Sequence, residues 1–320
     1  MSETGVRIAI LIAAIVPLMA AGRTVTNVLT RTVVCGGAYG GHLQGVATDG
    51  ANLFWSFTVA LVKTDGDGNV LATRTVASHH GDLCCVDGVV YVAVNLGQFN
   101  QETGADSHVW AYRASDLEPS GRWDVPELVH GAGGMTHWNG RFYVVGGLPT
   151  THDVNYVYEY DPAFNFIARH ELASGYTSLG IQTAHEREGR FLFGIYGTTG
   201  NPAGTLSCGT DFGSLERSDV NGSYGLVDLE GWEGVASTGT TSAGNTGKIV
   251  FTRREVREVT EPEMFPRCEG ASASVGLWTG AAGPASGGLG EVDTRRFDEE
   301  TVTAAFFSSV PARGAIVLVR

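Results

Sequence analysis

A chain of 320 residues, 43% of them hydrophobic, has room for one large all-β domain or two ordinary ones and is not a disordered polymer. Its formal net charge of −13, with no Lys/Arg cluster to offset it, disfavours binding to nucleic-acid phosphates. Glycine, at 45 residues, is about twice as frequent as usual, which points to many tight turns.

In chain order, the first feature is the uncharged apolar run Ile8–Ala20 behind Arg7, followed by the small residues Ala20-Ala21-Gly22. It is short for a bilayer span and predicts a signal peptide over residues 1–22, hence export to the periplasm or the outside and a mature protein with no membrane span.

Four units of one layout follow, opening near His42, His80, His130 and Thr177. In each, a short strand ends at a turn: Asp49-Gly50, Asp87-Gly88, Asn139-Gly140 and Glu188-Gly189. Next comes a nearly continuous apolar strand: "NLFWSF", "VVYVAV", "RFYVVGG" and "RFLFGIYG". Such runs are expected where both faces of a sheet are covered. In the first three units an alternating strand then closes at Asp65, Asp116 or Asp161, and a more polar fourth strand suits an outer edge. Four-strand units repeated at about 40–50 residues predict an all-β fold, a β-propeller with four-stranded antiparallel blades. A fifth blade is expected from "GSYGLVDLEGWEGVAST" with "GKIVFTRREV", so five blades are favoured over residues 23–258, with six as the alternative. Residues 259–320 carry a Gly/Ala/Ser-rich stretch, Gly270–Glu291, that reads as a long loop. The strand-like "TVTAAFFSSV" and "GAIVLVR" beyond it are expected to close the propeller or add a blade.

Five cysteines (Cys35, Cys84, Cys85, Cys208 and Cys268) with no CxxC argue against a disulfide framework or a zinc ribbon. Adjacent Cys84 and Cys85 are expected to be small buried residues, and a Cys208–Cys268 bridge after export is the alternative for that pair, without support from spacing. Trp55, Trp110, Trp123 and Trp138 fall in strands or turns and are expected in the core.

The first strand of each blade lines a propeller's axis, so residues just before it converge at one mouth. His42 lies eight residues before Gly50, and His80 eight before Gly88; Asp82 matches Gln44, and His130 precedes the third blade. Gln182 and His185 lie within the fourth inner strand, and Tyr176 precedes it. The expected axial centre therefore has His42, His80 and His130 as metal ligands. His80, His130 and Asp82 would be its acid–base groups, and Gln44, Gln182, His185 and Tyr176 its substrate contacts. Imidazoles with a carboxylate suit Zn²⁺, Mn²⁺ or Fe²⁺ better than Ca²⁺. A metal-free polar cradle and a water-filled structural channel remain the alternatives. His79, adjacent to His80, must point the other way in an extended segment and is a candidate for the top surface or a simply exposed residue. Asp106, His108, His152 and Asp153 lie in the longer loops after second strands. The sequence holds no GxSxG elbow, HExxH, P-loop or dinucleotide fingerprint.

The Asp-Gly hairpins and the alternating strands ending in Asp resemble those of exported bacterial β-propellers of the lactonase-like, streptogramin-lyase-like and glutaminyl-cyclase-like kinds, over about residues 42–240. "HLQGVATDG" is similar to the first blade opening of propeller-type glutaminyl cyclases in its Gln44-Gly45 pair, but that family's acidic catalytic residue matches no position here. The resemblance implies a metal or polar site near the axis and no particular reaction. The expectation is a monomer holding a small polar or carbohydrate-like ligand. It is either a hydrolase or lyase with a divalent metal or a non-catalytic binding propeller.

Overall fold

The computed structural model describes residues 23–259, 302–305 and 316–319. The chain begins with β1 (Arg23–Val34) and then runs through four meanders. Blade 1 is β2 (Leu43–Thr48), β3 (Asn52–Phe57), β4 (Ala60–Asp65) and β5 (Val70–Thr75). Blade 2 is β6 (His80–Val86), β7 (Val89–Asn95), β8 (Ser107–Arg113) and β9 (Pro119–Asp124). Blade 3 is β10 (Ala132–Trp138), β11 (Arg141–Gly146), β12 (Asn155–Tyr160) and β13 (Phe166–Leu172). Blade 4 is β14 (Ser178–Arg187), β15 (Arg190–Tyr196), β16 (Gly204–Gly209) and β17 (Glu216–Ser218). Blade 5 joins β18 (Leu226–Leu229), β19 (Trp232–Thr241) and β20 (Gly244–Val259) to β1, in the order β1-β20-β19-β18. The described residues thus form a five-bladed antiparallel β-propeller without helices.

Ring closure differs from expectation. The outermost strand of blade 5 is the N-terminal β1, which pairs with β20 from Arg23↔Val259 to Val34↔Lys248. The C-terminal strands β21 (Val302–Ala305) and β22 (Ile316–Val319) pair with each other in a two-stranded sheet. The signal-peptide reading of residues 1–22, the loop assigned to Gly270–Glu291 and Cys268 lie outside the described residues. Cys35, Cys84, Cys85 and Cys208 are free thiols.

The inner hairpins follow the turn chemistry. Asp87, Asn139, Glu188 and Glu230 take φ of 49–52°, and the glycine after each takes 74–76°. Two successive positive φ values make the tight turn whose twist matches the flanking strands, and glycine adopts the second without strain. Second strands are buried almost throughout, as in β3 and β11, while the fourth strands β5, β9 and β13 are largely exposed. The core lies between blades. Trp55, Val62, Val227 and Phe251 fill the space between blades 5 and 1, and Phe54, Leu61, Val92 and Tyr112 that between 1 and 2. Val109, Phe142 and Tyr160 join blades 2 and 3, and Tyr143, Phe191 and Phe193 join 3 and 4. Each such side chain contributes about 1.5–3 kcal/mol on burial. Trp55 is wholly buried with its indole N–H donating to Thr64 Oγ1 at 3.0 Å, and Trp110, Trp123 and Trp138 pack against these clusters.

At the axis the inner strands almost touch. A Cβ placed on Gly45 would sit 2.0 Å from Asp82 Oδ1, one on Gly81 2.2 Å from the Gly133 carbonyl oxygen, and one on Gly134 2.6 Å from that of Gln182. Each of β2, β6, β10 and β14 also carries a bulge in its first half. The bulge in β2 is occupied by Gln44 and that in β6 by Gly81 and Asp82.

Candidate functional site

The face on which the inner strands begin carries two polar centres. The first is the axial mouth. His42, on the approach to β2, lies beside Gln44, which occupies the bulge between the paired residues Leu43 and Gly45. The Gln44 carboxamide nitrogen is 2.9 Å from His42 Nε2, 2.9 Å from His79 Nε2 and 3.2 Å from Thr58 Oγ1. Tyr196 OH is 2.9 Å from His42 Nε2, and the Tyr224 ring meets both the His42 and Tyr196 rings edge-on. Burial lowers the pKa of both imidazoles, with His42 adding to the effect on His79, so both are neutral at pH 7.

His80 is not part of this mouth. It is fully buried, with Nδ1 2.6 Å from the Ala77 carbonyl oxygen and Nε2 2.7 Å from Tyr112 OH, and it packs edge-on against Trp110. Burial pushes its pKa down to about 4. Both nitrogens are spent within blade 2, so it is a satisfied core histidine and not a base or a ligand. The residue equivalent to His42 is His79: the His42 carbonyl accepts from Thr58 N–H just as the His79 carbonyl accepts from Asn95 N–H.

Asp82 lies on the axis below the mouth. Its Oδ2 accepts the Ala184 N–H of blade 4 at 2.9 Å, and the backbone N–H groups of Leu83 and Val46 also face the carboxylate. Burial raises its pKa well above the usual carboxylate range. It staples three inner strands and leaves no open channel at this level. Further along the axis a cavity of about 160 Å³ is lined by residues of all five blades, among them Thr48, Cys84, Thr136, His185 and Val227. His185 faces that far end, with Nε2 3.0 Å from Asp228 Oδ2, itself held by Arg187. Gln182 is buried and donates to the Leu179 carbonyl, and Tyr176 is exposed on the loop before β14. Of the residues expected to meet at one axial centre, the structure brings together only His42 and Gln44.

The second centre lies where blades 2 and 3 meet. His130 precedes β10, Glu102 lies on the β7–β8 loop and His152 on the β11–β12 loop. One ligand atom from each lies within 4.8 Å of the other two, an arrangement that can hold a metal ion. His130 is buried, and its Nδ1 donates to the Gln101 carbonyl at 2.9 Å, which leaves the Nε2 lone pair free. His152 Nε2 is 3.0 Å from Glu102 Oε2, and Thr151 Oγ1 donates to Glu102 Oε1. Hydrogen bonds, chiefly from Thr151 and then His152, hold the Glu102 carboxyl below its ordinary range. The loops are tied to one another: Asn100 N–H donates to the His130 carbonyl at 2.8 Å, and Leu148 N–H to Asn100 Oδ1 at 2.7 Å.

Sequence reasoning put His130 in the axial set and His152 in a loop, in separate roles, gave His79 to the top surface, and passed over Glu102, Tyr196 and Tyr224. Glu102 and His152 sit in corresponding loops of successive blades, and that correspondence is the one signal that could have joined them. Nothing in the sequence pairs Tyr196 with His42, 154 positions away.

No known protein family matches the chain, and no curated protein does. Solved structures match at low identity. A protein of unknown function from Bacteroides caccae is 13% identical with a TM-score of 0.39, over 66% of this chain and 79% of that one. A xylan β-1,4-xylosidase from Bacillus halodurans C-125 is 13% identical with a TM-score of 0.46, over 72% of this chain and 55% of that one. BamB from Moraxella catarrhalis is 10% identical with a TM-score of 0.36, over 69% and 72%. At this distance the likeness is one of fold.

Proposed function

We propose that the protein is a metal-dependent propeller. In this reading Glu102, His130 and His152 hold a divalent transition ion that acts, in a hydrolase or lyase reaction, on a small polar or carbohydrate-like substrate. The observation that carries this reading is the convergence of two imidazoles and a carboxylate from three separate loops within 4.8 Å. Two nitrogens and an oxygen suit Zn²⁺, Mn²⁺ or Fe²⁺, and three protein ligands leave positions open for water and substrate. Such an ion lowers the pKa of bound water and polarises a carbonyl. The Gln101 carbonyl and Thr151 hydroxyl would orient the ligands from behind. On this reading the chain works as an exported monomer, in keeping with the apolar run Ile8–Ala20.

The test is titration of the metal-stripped protein with Zn²⁺ and Mn²⁺ by calorimetry, with elemental analysis after dialysis. One equivalent is expected. Glu102→Gln and His152→Ala should each weaken binding by about 100-fold or more, while His42→Ala leaves it unchanged. Absence of stoichiometric binding, or binding lost only in His42→Ala, sinks the proposal. Stoichiometric metal without turnover of any carbohydrate ester, lactone or glycoside would keep the site and withdraw the catalysis.

A further inference from the structure

The axial mouth invites a ligand of its own, independently of the metal reading. Its six side chains, His42, Gln44, Thr58, His79, Tyr196 and Tyr224, make their hydrogen bonds and ring contacts with one another or with backbone. Among the described residues, no carboxylate, ammonium or guanidinium touches them. Gln44 Nε2 has no lone pair to offer, so the Nε2 atoms of His42 and His79 that face it carry no proton and both rings hold theirs on Nδ1, while its two hydrogens are shared among those two nitrogens and Thr58 Oγ1. Thr58 Oγ1 donates to the His42 carbonyl and thereby accepts from the same Gln44 nitrogen, which fixes the amide's orientation.

The remainder follows from counting atoms. His42 Nδ1–H, His79 Nδ1–H, Gln44 Oε1 and Tyr224 OH have no partner among the described residues, and none of them is sealed from solvent. The mouth therefore offers two donors, an acceptor and a hydroxyl that does both, beside four half-buried rings and without formal charge. A hydroxyl group both donates and accepts, so a ring bearing several of them answers this pattern, and its C–H faces suit the aromatic walls. A carboxylate or phosphate would meet no cation here, and an ammonium no anion. We propose that the axial mouth binds an uncharged polyhydroxylated ligand through His42, Gln44, His79 and Tyr224.

Saturation-transfer NMR on the full protein in EDTA, which removes any part played by a metal, tests this with glucose, galactose and myo-inositol at about 10 mM, against glucuronate and glucosamine. The neutral probes should bind and the charged ones bind at least about five-fold more weakly. Gln44→Leu should weaken the neutral probes about ten-fold, and Tyr224→Phe should weaken them by a smaller factor with the ring retained. The proposal is overturned by no transfer to any neutral probe, by equal or tighter binding of glucuronate or glucosamine, or by binding that survives both Gln44→Leu and Tyr224→Phe.

Discussion

His80 and His79 show how much one residue can decide. The strand β6 is one residue longer than β2, seven against six, so counting back from the turn glycine matches His42 to His80 when the backbone matches it to His79. In a strand a slip of one residue sends a side chain to the opposite face. That is why the sequence yielded the presence of an axial imidazole pair and the wrong member of it. The true counterpart of His80 in blade 1 is Leu43, a fully buried core residue. This suggests His80→Leu as the informative variant. With a folded pKa of about 4 against an ordinary 6.5, His80 binds fewer protons in the folded state between those values. Its contribution to stability is therefore fully present above pH 6.5 and lost as pH falls towards 4, by about 3 kcal/mol in all. Urea unfolding at pH 7.5 and 4.5 should show the wild type losing about 2.5 kcal/mol more than His80→Leu, since pH 4.5 still lies above the folded pKa. The variant itself starts about 1–3 kcal/mol lower, because Tyr112 OH loses its buried partner. Parallel losses in the two proteins would mean that another group titrates.

Among elements, the hairpins were readable because their chemistry is local: an Asp, Asn or Glu followed by Gly at positive φ announces itself in two letters. The alternation from buried second strands to exposed fourth strands was readable for the same reason. Closure was not. Nothing in the sequence singles β1 out: its apolar residues Val25, Val28, Leu29, Val33 and Val34 follow no strict alternation, and its partner β20 lies more than 200 residues on. A pairing of that separation leaves no trace in local pattern. Its energetic role is large all the same. β1 supplies a full row of ladder hydrogen bonds to β20 and buries Val33 in the cluster joining blades 5 and 1. Without it β20 becomes a bare edge, and a bare edge pairs with other chains. A chain beginning after Val34 should therefore be aggregation-prone and melt well below the intact protein. A synthetic Arg23–Val34 peptide supplied in trans should restore a monomer by size-exclusion chromatography. A truncated chain that stays monomeric with an unchanged melting temperature would show that β1 is dispensable.

For the molecule as a whole, the excess of glycine has a second cause besides turns. Five inner strands around one axis leave less room than a larger ring, and the contacts between neighbouring blades there are made at glycine. Gly45 meets Asp82, Gly81 meets Gly133, Gly134 meets Gln182, and Gly225 comes within 2.8 Å of Val46 N by its would-be Cβ. Between blades 4 and 5 the Gly222 carbonyl takes the Thr183 hydroxyl at 2.5 Å. A tight axis plugged by Asp82 explains why the expected channel of converging histidines is absent. Gln44 reaches the mouth from the bulge in β2, beside His42 and His79, and the remaining histidines are diverted to the core, the rim or the far end. Two glycines of one strand–turn unit separate this packing effect from simple backbone strain. Gly50 takes φ +91° with nothing within 4 Å of a would-be Cβ, so Gly50→Ala should cost only about 1–2 kcal/mol for its left-handed backbone. Gly45 carries no such strain, but its Cβ would lie 2.5 Å from the Asp82 Cα, an atom of the main chain that cannot swing away. Gly45→Ala should therefore cost about 3 kcal/mol, at the upper end for overpacking, and lower the melting temperature more than Gly50→Ala does. The reverse order in thermal melts would mean that the inner strands can part, and with them the case for a closed axis.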